Sequence, residues 1–145
     1  MAVTYRWATL GCGVIGHQLA EAMQKLGGNL YAVGNRTHEK AVKFAEQYGI
    51  GKVYDKPEDM FADPDVDIIY ISTPHNTHIK YLRQALAAGK HVLCEKPIAS
   101  NASEFQQMYD TAIKNQVILL EAMRSVFSPG FAAIRSLLPV LGTIR

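Results

Sequence analysis

Cysteine is scarce in this chain, and neither sign of charge dominates it. The two cysteines among 145 residues, Cys12 and Cys94, are too few for a disulfide scaffold, which favours a reducing compartment such as the cytoplasm. Fifteen basic residues against thirteen acidic ones leave a formal net charge of +2, which is too small and too scattered to predict a nucleic-acid surface. We therefore expect a cytoplasmic protein without a nucleic-acid partner.

Long apolar runs are also missing from the sequence. No stretch approaches the roughly 18 residues of a membrane span, and the first residues lack the apolar core of a signal peptide. Hydrophobic residues make up 48% of the chain and charged residues 19%, which is typical of a globular protein with its own core. The composition therefore predicts no membrane partner.

Short apolar runs alternate with segments of helical period, which is typical of βαβ units and a parallel sheet. Strands are predicted at residues 5–10, 29–33, 52–54, 67–72, 91–94 and 117–120. Helices are predicted at 14–26, 37–48, 57–61, from 76 or 77 to about 89, and behind an Asn-x-x-Glu capping box at 101–104, where Phe105, Met108, Tyr109 and Ala112 should be buried. About six strands with right-handed crossovers predict a doubly wound Rossmann sheet of the α/β class.

The pattern changes in the last part of the chain, residues 122–145. A short helix is predicted at 131–138, Pro139 should end it, and residues 141–145 look like the start of another strand. We expect residues 1–121 to form the Rossmann domain and residues 122–145 to connect it to a further domain. The apolar residues between 131 and 144 should be exposed, so we expect a homo-oligomer.

A glycine-rich loop lies between the first strand and the first helix. Its residues are Gly11, Cys12, Gly13, Val14, Ile15 and Gly16, a Gly-x-Gly-x-x-Gly pattern. Gly11 allows a tight turn, Gly13 lets the backbone approach a pyrophosphate, and Gly16 lets the helix pack closely on the strand. The helix N-terminus adds free N–H groups for phosphates. This context predicts a dinucleotide site, the alternative being a glycine turn without a ligand.

The end of the second strand carries no acid, although proteins that prefer NAD place one there for the ribose 2′-hydroxyl. Asn35 and Thr37 can donate hydrogen bonds to a 2′-phosphate, and Arg36 can pair with it. These residues favour NADP over NAD as the cofactor. The alternative is that Arg36 is only a solvated residue at the start of a helix.

Two further motifs follow the fourth and fifth predicted strands. Ser-Thr-Pro-His-Asn-Thr-His occupies residues 72–78, and Leu-Cys-Glu-Lys-Pro occupies residues 93–97. With the glycine loop and Asn35-Arg36, they make the chain resemble the N-terminal half of the glucose–fructose oxidoreductase / inositol dehydrogenase / rhizopine-catabolism (Gfo/Idh/MocA) family of NAD(P)-dependent oxidoreductases. The resemblance covers about residues 5–145, and the Glu-Ala-Met run at 121–123 is most like the dihydrodiol dehydrogenase / xylose dehydrogenase branch.

The resemblance implies roles for the residues at the two strand ends. The implied cofactor-binding residues are Ser72, Thr73, Pro74, Asn76, His78, Glu95, Lys96 and Pro97. Asn76 and His78 would lie toward the adenosine and pyrophosphate, and Glu95 toward the nicotinamide ribose. Lys96 would also be the catalytic residue, since an ammonium can polarise the substrate hydroxyl or carbonyl. From chemistry alone, Lys96 could be an ordinary surface lysine.

The resemblance also implies the reaction, which is hydride transfer between NADP, or NAD, and a secondary alcohol of a small-molecule substrate such as a sugar or polyol. The alternative is a dinucleotide-binding sensor without turnover. The family's remaining catalytic groups, an Asp and a His, come from a second α/β domain that no segment here matches, so we expect this chain alone to be inactive. Arg124 and Val126 stand where the branch often has Trp and Arg.

Other ionisable residues point less clearly to chemistry. His75, His78 and Cys94 could suggest zinc, but no acidic or thiol cluster adjoins them in the sequence, so we predict no metal site. Cys12 precedes a helix N-terminus, which could lower its pKa, but the position between Gly11 and Gly13 is more simply that of a small packing residue. Five carboxylates are interpreted as solvated or capping groups: Asp63, Asp65, Asp67, Asp110 and Glu121.

Overall fold

Six parallel strands form one sheet in the order β3-β2-β1-β4-β5-β6. The computed structural model describes residues 4–141. The strands are β1 (Trp7–Leu10), β2 (Ala32–Gly34), β3 (Lys52–Tyr54), β4 (Ile68–Ile71), β5 (His91–Cys94) and β6 (Leu119–Glu121). The helices are α1 (Val14–Lys25), α2 (His38–Tyr48), α3 (Pro57–Ala62), α4 (His78–Ala87), α5 (Ala102–Lys114) and α6 (Pro129–Leu141), with 3₁₀ turns at His75–Thr77 and Arg124–Phe127.

The strand order confirms the predicted doubly wound sheet. β1 pairs with both β2 and β4, so that Leu10 lies opposite Gly34 on one side and Ile71 on the other. The chain first steps from β1 to β3 in one direction and then from β4 to β6 in the other. The loops that follow β1, β2 and β4 therefore meet at the point where the strand order reverses, which is where such sheets bind ligands.

Two hydrophobic clusters hold the helices against the sheet. Helices α3, α4 and α5 bury Met60, Leu82 and Met108 in one cluster. Helices α1 and α2 bury Ala20 and Phe44 in the other. Burial of each large side chain contributes roughly 1.5–3 kcal/mol, so the two clusters fix the helices that begin beside the loops of the sheet's carboxyl edge.

Some boundaries differ from those predicted, for local reasons. β2 begins at Ala32 instead of residue 29, because the Asn29 side chain donates to Tyr48 O and accepts from Leu30 N, which makes a turn. β6 begins at Leu119 instead of residue 117, because Gln116 has a φ of 55° and closes the turn after α5. β1 begins at Trp7 instead of residue 5.

Helix α5 begins as the capping box predicts but buries fewer residues than expected. Asn101 Oδ1 accepts from Glu104 N at 2.9 Å, and the Glu104 carboxylate accepts from Ser100 N. Met108 is buried, whereas Phe105 and Tyr109 are 41% and 47% exposed. The prediction that both aromatic residues are buried is wrong, because the helix turns only the face of Met108 toward the sheet.

The helix near the end of the chain is longer than predicted. α6 runs from Pro129 to Leu141 with Pro139 inside it, whereas Pro139 was expected to end the helix at residue 138. A proline in the last turn removes only one helical hydrogen bond, which allows the helix to continue. Of the strand predicted at 141–145, Leu141 ends α6 and residues 142–145 lie outside the described residues.

A buried polar network lies between α3 and the strands beside it. The Asp63 carboxylate accepts hydrogen bonds from Tyr54 Oη and Lys52 Nζ, which hold its pKa well below the usual range. Lys90 Nζ donates to the carbonyl oxygens of Asp63 and Val66 at 2.6 and 2.8 Å. Of the two interpretations of Asp63, a solvated carboxylate is wrong, since it is buried and paired. Its Oδ1 does accept from Asp65 N at 2.8 Å, as a capping carboxylate would.

Within residues 4–141, no helix combines the length and the apolar character that crossing a bilayer requires.

Candidate cofactor site

The three glycines of the loop after β1 differ in the space around them and in why a side chain is absent. A Cβ on Gly11, whose φ is 116°, would lie 2.8 Å from Ser72 O, and a Cβ on Gly16 would lie 2.6 Å from Gly11 O. Both positions are therefore required by the fold itself. A Cβ on Gly13 would meet nothing within 4 Å, and its φ of −84° is open to any residue. The absence of a side chain at Gly13 leaves a cradle in front of the loop.

Helix α1 begins at this cradle with an uncapped N-terminus. Gly13 is the N-cap residue, and among the described residues no side chain caps the helix there. The first N–H groups of a helix have no partner within the helix, and they carry the positive end of its dipole. The cradle and the free N–H groups together fit the pyrophosphate of a dinucleotide.

A groove of about 800 Å³ extends from the cradle across the carboxyl ends of β1, β2 and β4. Three loops line it, and the residues beyond the glycine loop are Asn35, Arg36, Thr37, Lys40, Ser72, Thr73, Pro74, His75, Asn76, Thr77 and Tyr81. The structure thus brings together most of the predicted cofactor-binding residues, including Asn76. Their convergence follows from the parallel pairing of β1 with its two neighbours.

The Asn35 side chain fixes the loop after β2, and two cationic side chains near this loop line the groove. Asn35 Oδ1 accepts from Cys12 N at 3.4 Å, and Asn35 Nδ2 donates to Thr37 O at 3.0 Å. Asn35 Oδ1 therefore joins this loop to the glycine loop, and Nδ2 closes the loop after β2 on itself, which differs from the predicted donation to a phosphate. Arg36 remains exposed in the loop before α2, and Lys40, in the first turn of α2, also lines the groove. Sequence reasoning missed Lys40, although its spacing of four from Arg36 was a signal.

The Cys12 thiol is not activated. Burial raises its pKa to about 11, and the charge of Lys40 opposes this shift only in part. The possible lowering of the pKa by the helix N-terminus does not prevail, because desolvation of the thiolate outweighs the nearby positive charge. This favours the preferred interpretation of Cys12 as a small packing residue of the glycine loop.

The loop after β4 is held in place by its own hydroxyl groups. Thr77 Oγ1 is 2.8 Å from Thr73 Oγ1 and 2.6 Å from Pro74 O, and it donates to one of them at a time. Ser72 Oγ lies 3.3 Å from Gly11 O, which ties this loop to the glycine loop. The floor of the groove is thus fixed before any ligand arrives.

His78 lies beneath this floor and not on its surface. Its side chain is fully buried, with Nδ1 2.8 Å from Pro97 O and Nε2 2.8 Å from Thr73 O. The ring therefore joins the loop after β4 to the loop after β5. This corrects the expected contact between His78 and a cofactor, because the enclosed side chain has no surface to offer.

A second cavity, of about 330 Å³, is lined by α1 and by residues at or near the carboxyl ends of β4, β5 and β6. Ile15 and Gln18 of α1 line one side, and Tyr70, Glu95 and Arg124 are among the residues of the other sides. Glu95 is buried and accepts a hydrogen bond from Tyr70 Oη at 2.6 Å. In the sequence, Tyr70 is part of an apolar run predicted as a strand, and nothing there indicates a partner for its hydroxyl.

Lys96 and Pro97 form the turn that follows β5. Lys96 is exposed, and the Lys96–Pro97 peptide bond is cis. Beyond the turn, Ile98 N donates to Glu121 Oε1 at 2.9 Å, so Glu121 anchors the turn to the end of β6 and is more than a solvated carboxylate. The Lys96 ammonium is thus carried by a turn in which the Pro97–Ile98 peptide group is held by both His78 and Glu121.

In the part of the chain that the structure describes, no three side chains of His, Cys, Asp or Glu converge as metal ligands would. The two histidines near the groove, His75 and His78, have ring centroids 5.5 Å apart, and both His78 nitrogens already face carbonyl oxygens.

The profile of a family described as "Oxidoreductase family, NAD-binding Rossmann fold" matches residues 5–123. The chain belongs to this Gfo/Idh/MocA family. The match covers every strand of the sheet and both motifs at the ends of β4 and β5. It confirms the predicted NAD(P)-binding Rossmann domain of an oxidoreductase family.

Individual relatives agree with this assignment. Trans-1,2-dihydrobenzene-1,2-diol dehydrogenase of Xenopus tropicalis is 37% identical over 92% of this chain and 41% of its own length. Scyllo-inositol 2-dehydrogenase (NADP(+)) of Bacillus subtilis is 34% identical over 97% of this chain and 43% of its own length. A solved 3-ketoreductase from Actinomadura kijaniata, in complex with TDP-benzene and NADP, has a TM-score of 0.86 at 25% identity, over 94% of this chain and 42% of that one. The chain therefore spans about two fifths of the length of these relatives.

Proposed function

We propose that this chain is the cofactor-binding part of an oxidoreductase that prefers NADP and acts on a secondary alcohol of a sugar, polyol or related diol. The observation that carries the proposal is the groove itself, which begins at the open cradle of Gly13 and ends at Arg36 and Lys40. The cradle suits a pyrophosphate, and the two cations suit a further phosphate on the adenosine ribose. The names of the relatives supply the substrate class.

The charge at the far end of the groove supports NADP. Two cationic side chains line this end, and none of the residues that line it is acidic. Asp55, which follows β3, is not among the lining residues, and its carboxylate lies 2.6 Å from His38 Nδ1. An acid among the lining residues would repel a 2′-phosphate, whereas Arg36 and Lys40 attract it. A hydrogen bond to a charged group is worth about 1.5–3 kcal/mol, so each cation can contribute tenfold or more in affinity.

Titration of the chain with NADPH and NADH tests the preference. We expect NADPH to bind at least tenfold more tightly, and Arg36→Asp to reverse the order. Lys40→Ala should weaken NADPH binding several-fold and leave NADH binding unchanged. Lys43→Ala is the matched control, because Lys43 is exposed on the same helix but does not line the groove. Equal affinity of the unaltered chain for the two cofactors would contradict the preference.

Lys96 is the residue that we propose for catalysis. The bound cofactor supplies or accepts the hydride, and the chain must then stabilise the negative charge that develops on the substrate oxygen. An ammonium on a fixed turn at the end of β5 can do this, because it is held in place before the reaction and needs no reorganisation. His78 and Glu121 provide that fixation through the backbone of Pro97 and Ile98.

We also propose the organisation of the chain that was expected from its sequence, with residues 1–121 as the Rossmann domain and residues 122–145 as a connector. β6 ends at Glu121, which supports this boundary. Exposed apolar side chains on α6, among them Ile134, Leu137 and Val140, support self-association into a homo-oligomer. A cytoplasmic location remains part of the proposal on the basis of the two unpaired cysteines.

A further inference from the structure

The second cavity contains a buried hydrogen bond that the proposed function does not yet use. Tyr70 Oη donates to Glu95 Oε1 at 2.6 Å, and the two residues are only 5% and 9% exposed. Tyr70 lies on β4, and Glu95 follows the neighbouring strand β5. Glu95 N also donates to Ile71 O at 2.9 Å, so the backbone of Glu95 is fixed beside the tyrosine.

This bond determines how the Glu95 carboxylate is oriented. A carboxylate has two oxygens, and its side-chain torsions let it turn in several directions unless something holds it. Tyr70 occupies Oε1. Glu95 lines the cavity, and within residues 4–141 no hydrogen bond from the protein is recorded for Oε2. One oxygen is therefore fixed, and the other is available to a donor in the cavity.

A positive charge near the pair gives the carboxylate another direction in which to turn. Arg124 lines the same cavity, and its charge acts on Tyr70 against the effects of burial and Glu95, which raise the pKa of the hydroxyl. Arg124 Nη1 itself donates to Gln18 Oε1 on α1 at 2.9 Å. Without the hydroxyl of Tyr70, the carboxylate would be drawn toward the guanidinium by simple charge attraction.

We infer that Tyr70 is a positioning residue, which holds the Glu95 carboxylate so that Oε2 accepts a hydrogen bond from a hydroxyl of the nicotinamide half of the cofactor. This inference rests on the proposed function. The position of the cavity supports it, since Ile15 in the first turn of α1 lines the cavity and the glycine loop just before α1 lines the groove of Arg36 and Lys40. A dinucleotide with its pyrophosphate at the start of α1 can therefore extend one half into each space.

The experiment compares two ligands in order to distinguish binding at the two halves of the site. NADPH reaches both spaces, whereas adenosine 2′,5′-bisphosphate has no nicotinamide half. We expect Tyr70→Phe, which removes only the hydroxyl, to weaken NADPH binding about tenfold and to change bisphosphate binding by less than twofold. Glu95→Gln should show the same split between the ligands. Tyr109→Phe is the matched control, because this tyrosine is exposed on the outer side of α5.

A double variant tests whether the two residues act as one unit. Once Gln replaces Glu95, the loss of the Tyr70 hydroxyl should change NADPH affinity by less than twofold, because no charged oxygen remains to be oriented. Independent effects that multiply in the double variant would overturn the inference. Equal weakening of both ligands by Tyr70→Phe would do the same, since it would show a general structural role.

The outcomes also distinguish this inference from the proposed function. If the unaltered chain binds NADPH and Tyr70→Phe binds it equally well, only the inference fails. If the unaltered chain binds neither ligand, both fail. Should Tyr70→Phe not fold, Glu95→Gln decides, because unchanged NADPH affinity in that variant overturns the role of the carboxylate that Tyr70 is inferred to hold.

Discussion

Gly16→Ala should lower stability, whereas Gly13→Ala should lower cofactor affinity, because the two glycines have different surroundings. The methyl group of Gly16→Ala would lie 2.6 Å from the backbone oxygen of Gly11. Restoring an ordinary contact of 3.4 Å needs a movement of about 0.8 Å between α1 and the glycine loop. Helix α1 cannot move freely, since Ala20 is fully buried against α2 and the sheet.

The expected magnitudes follow from this geometry. Overpacking at Gly16 should lower the free energy of unfolding by about 1–3 kcal/mol. Gly13→Ala adds a methyl group to open space at an extended φ of −84°, so no strain arises. The loss of a favourable N-cap residue and the reduced entropy of the unfolded chain nearly cancel, which leaves stability within about 0.5 kcal/mol. The same methyl group occupies the cradle, so NADPH affinity should fall tenfold or more.

Urea unfolding without ligand and NADPH fluorescence titration measure the two effects separately. Each kcal/mol corresponds to a shift of about 2–4 °C in Tm for a protein of this size, so thermal unfolding gives an independent check. The reasoning is refuted if Gly13→Ala destabilises the chain as much as Gly16→Ala does. It is also refuted if Gly13→Ala binds NADPH with unchanged affinity, because the cradle would then not be where the pyrophosphate lies.

Two further predictions concern Lys96 and Asp63. In the full-length enzyme, Lys96→Met should lower kcat by about 100-fold with cofactor affinity nearly unchanged, since the ammonium acts on developing charge; normal turnover would show that the residue is structural. The pKa of Asp63 is lowered in the folded state, so its stabilising effect is present above the unfolded pKa of about 3.9 and is lost as the pH falls below it. Asp63→Asn should therefore be less stable at pH 7 and lose less additional stability between about pH 5 and pH 2 than the unaltered chain, measured by urea unfolding against the exposed control Asp110→Asn.

The features that could be predicted from the sequence are those that depend on neighbouring residues in the chain. Alternating apolar and helical periods indicate a parallel sheet, and the position of Gly11 and Gly16 between a strand and a helix is itself a local pattern. The Asn101 cap is likewise confirmed because its partner, Glu104, is three residues away. Such interactions need no knowledge of which strands are adjacent.

The features that escaped prediction depend on residues brought together by the fold. Asp63 looks solvated in the sequence, and only the packing of α3 beside β3 places Tyr54 and Lys52 against it. Tyr70 reads as an apolar strand residue until β4 and β5 pair and its hydroxyl meets Glu95. Periodicity indicates the buried side of a helix or strand, although it failed for Phe105 and Tyr109, and it gives no information on the partner of a buried polar atom.

The distribution of charge around α1 gives the site a direction. The groove carries Arg36 and Lys40, whereas the cavity beside α1 carries the buried carboxylate of Glu95 together with Arg124, whose guanidinium donates to Gln18. A dinucleotide bound in the opposite sense would bring its 2′-phosphate beside Glu95, where two negative charges would face each other with little water between them. In the proposed orientation, the 2′-phosphate lies beside Arg36 and Lys40, and the Glu95 carboxylate accepts from a neutral hydroxyl of the cofactor. In the proposed binding mode the nicotinamide half would therefore lie at the end of β5, next to the turn of Lys96.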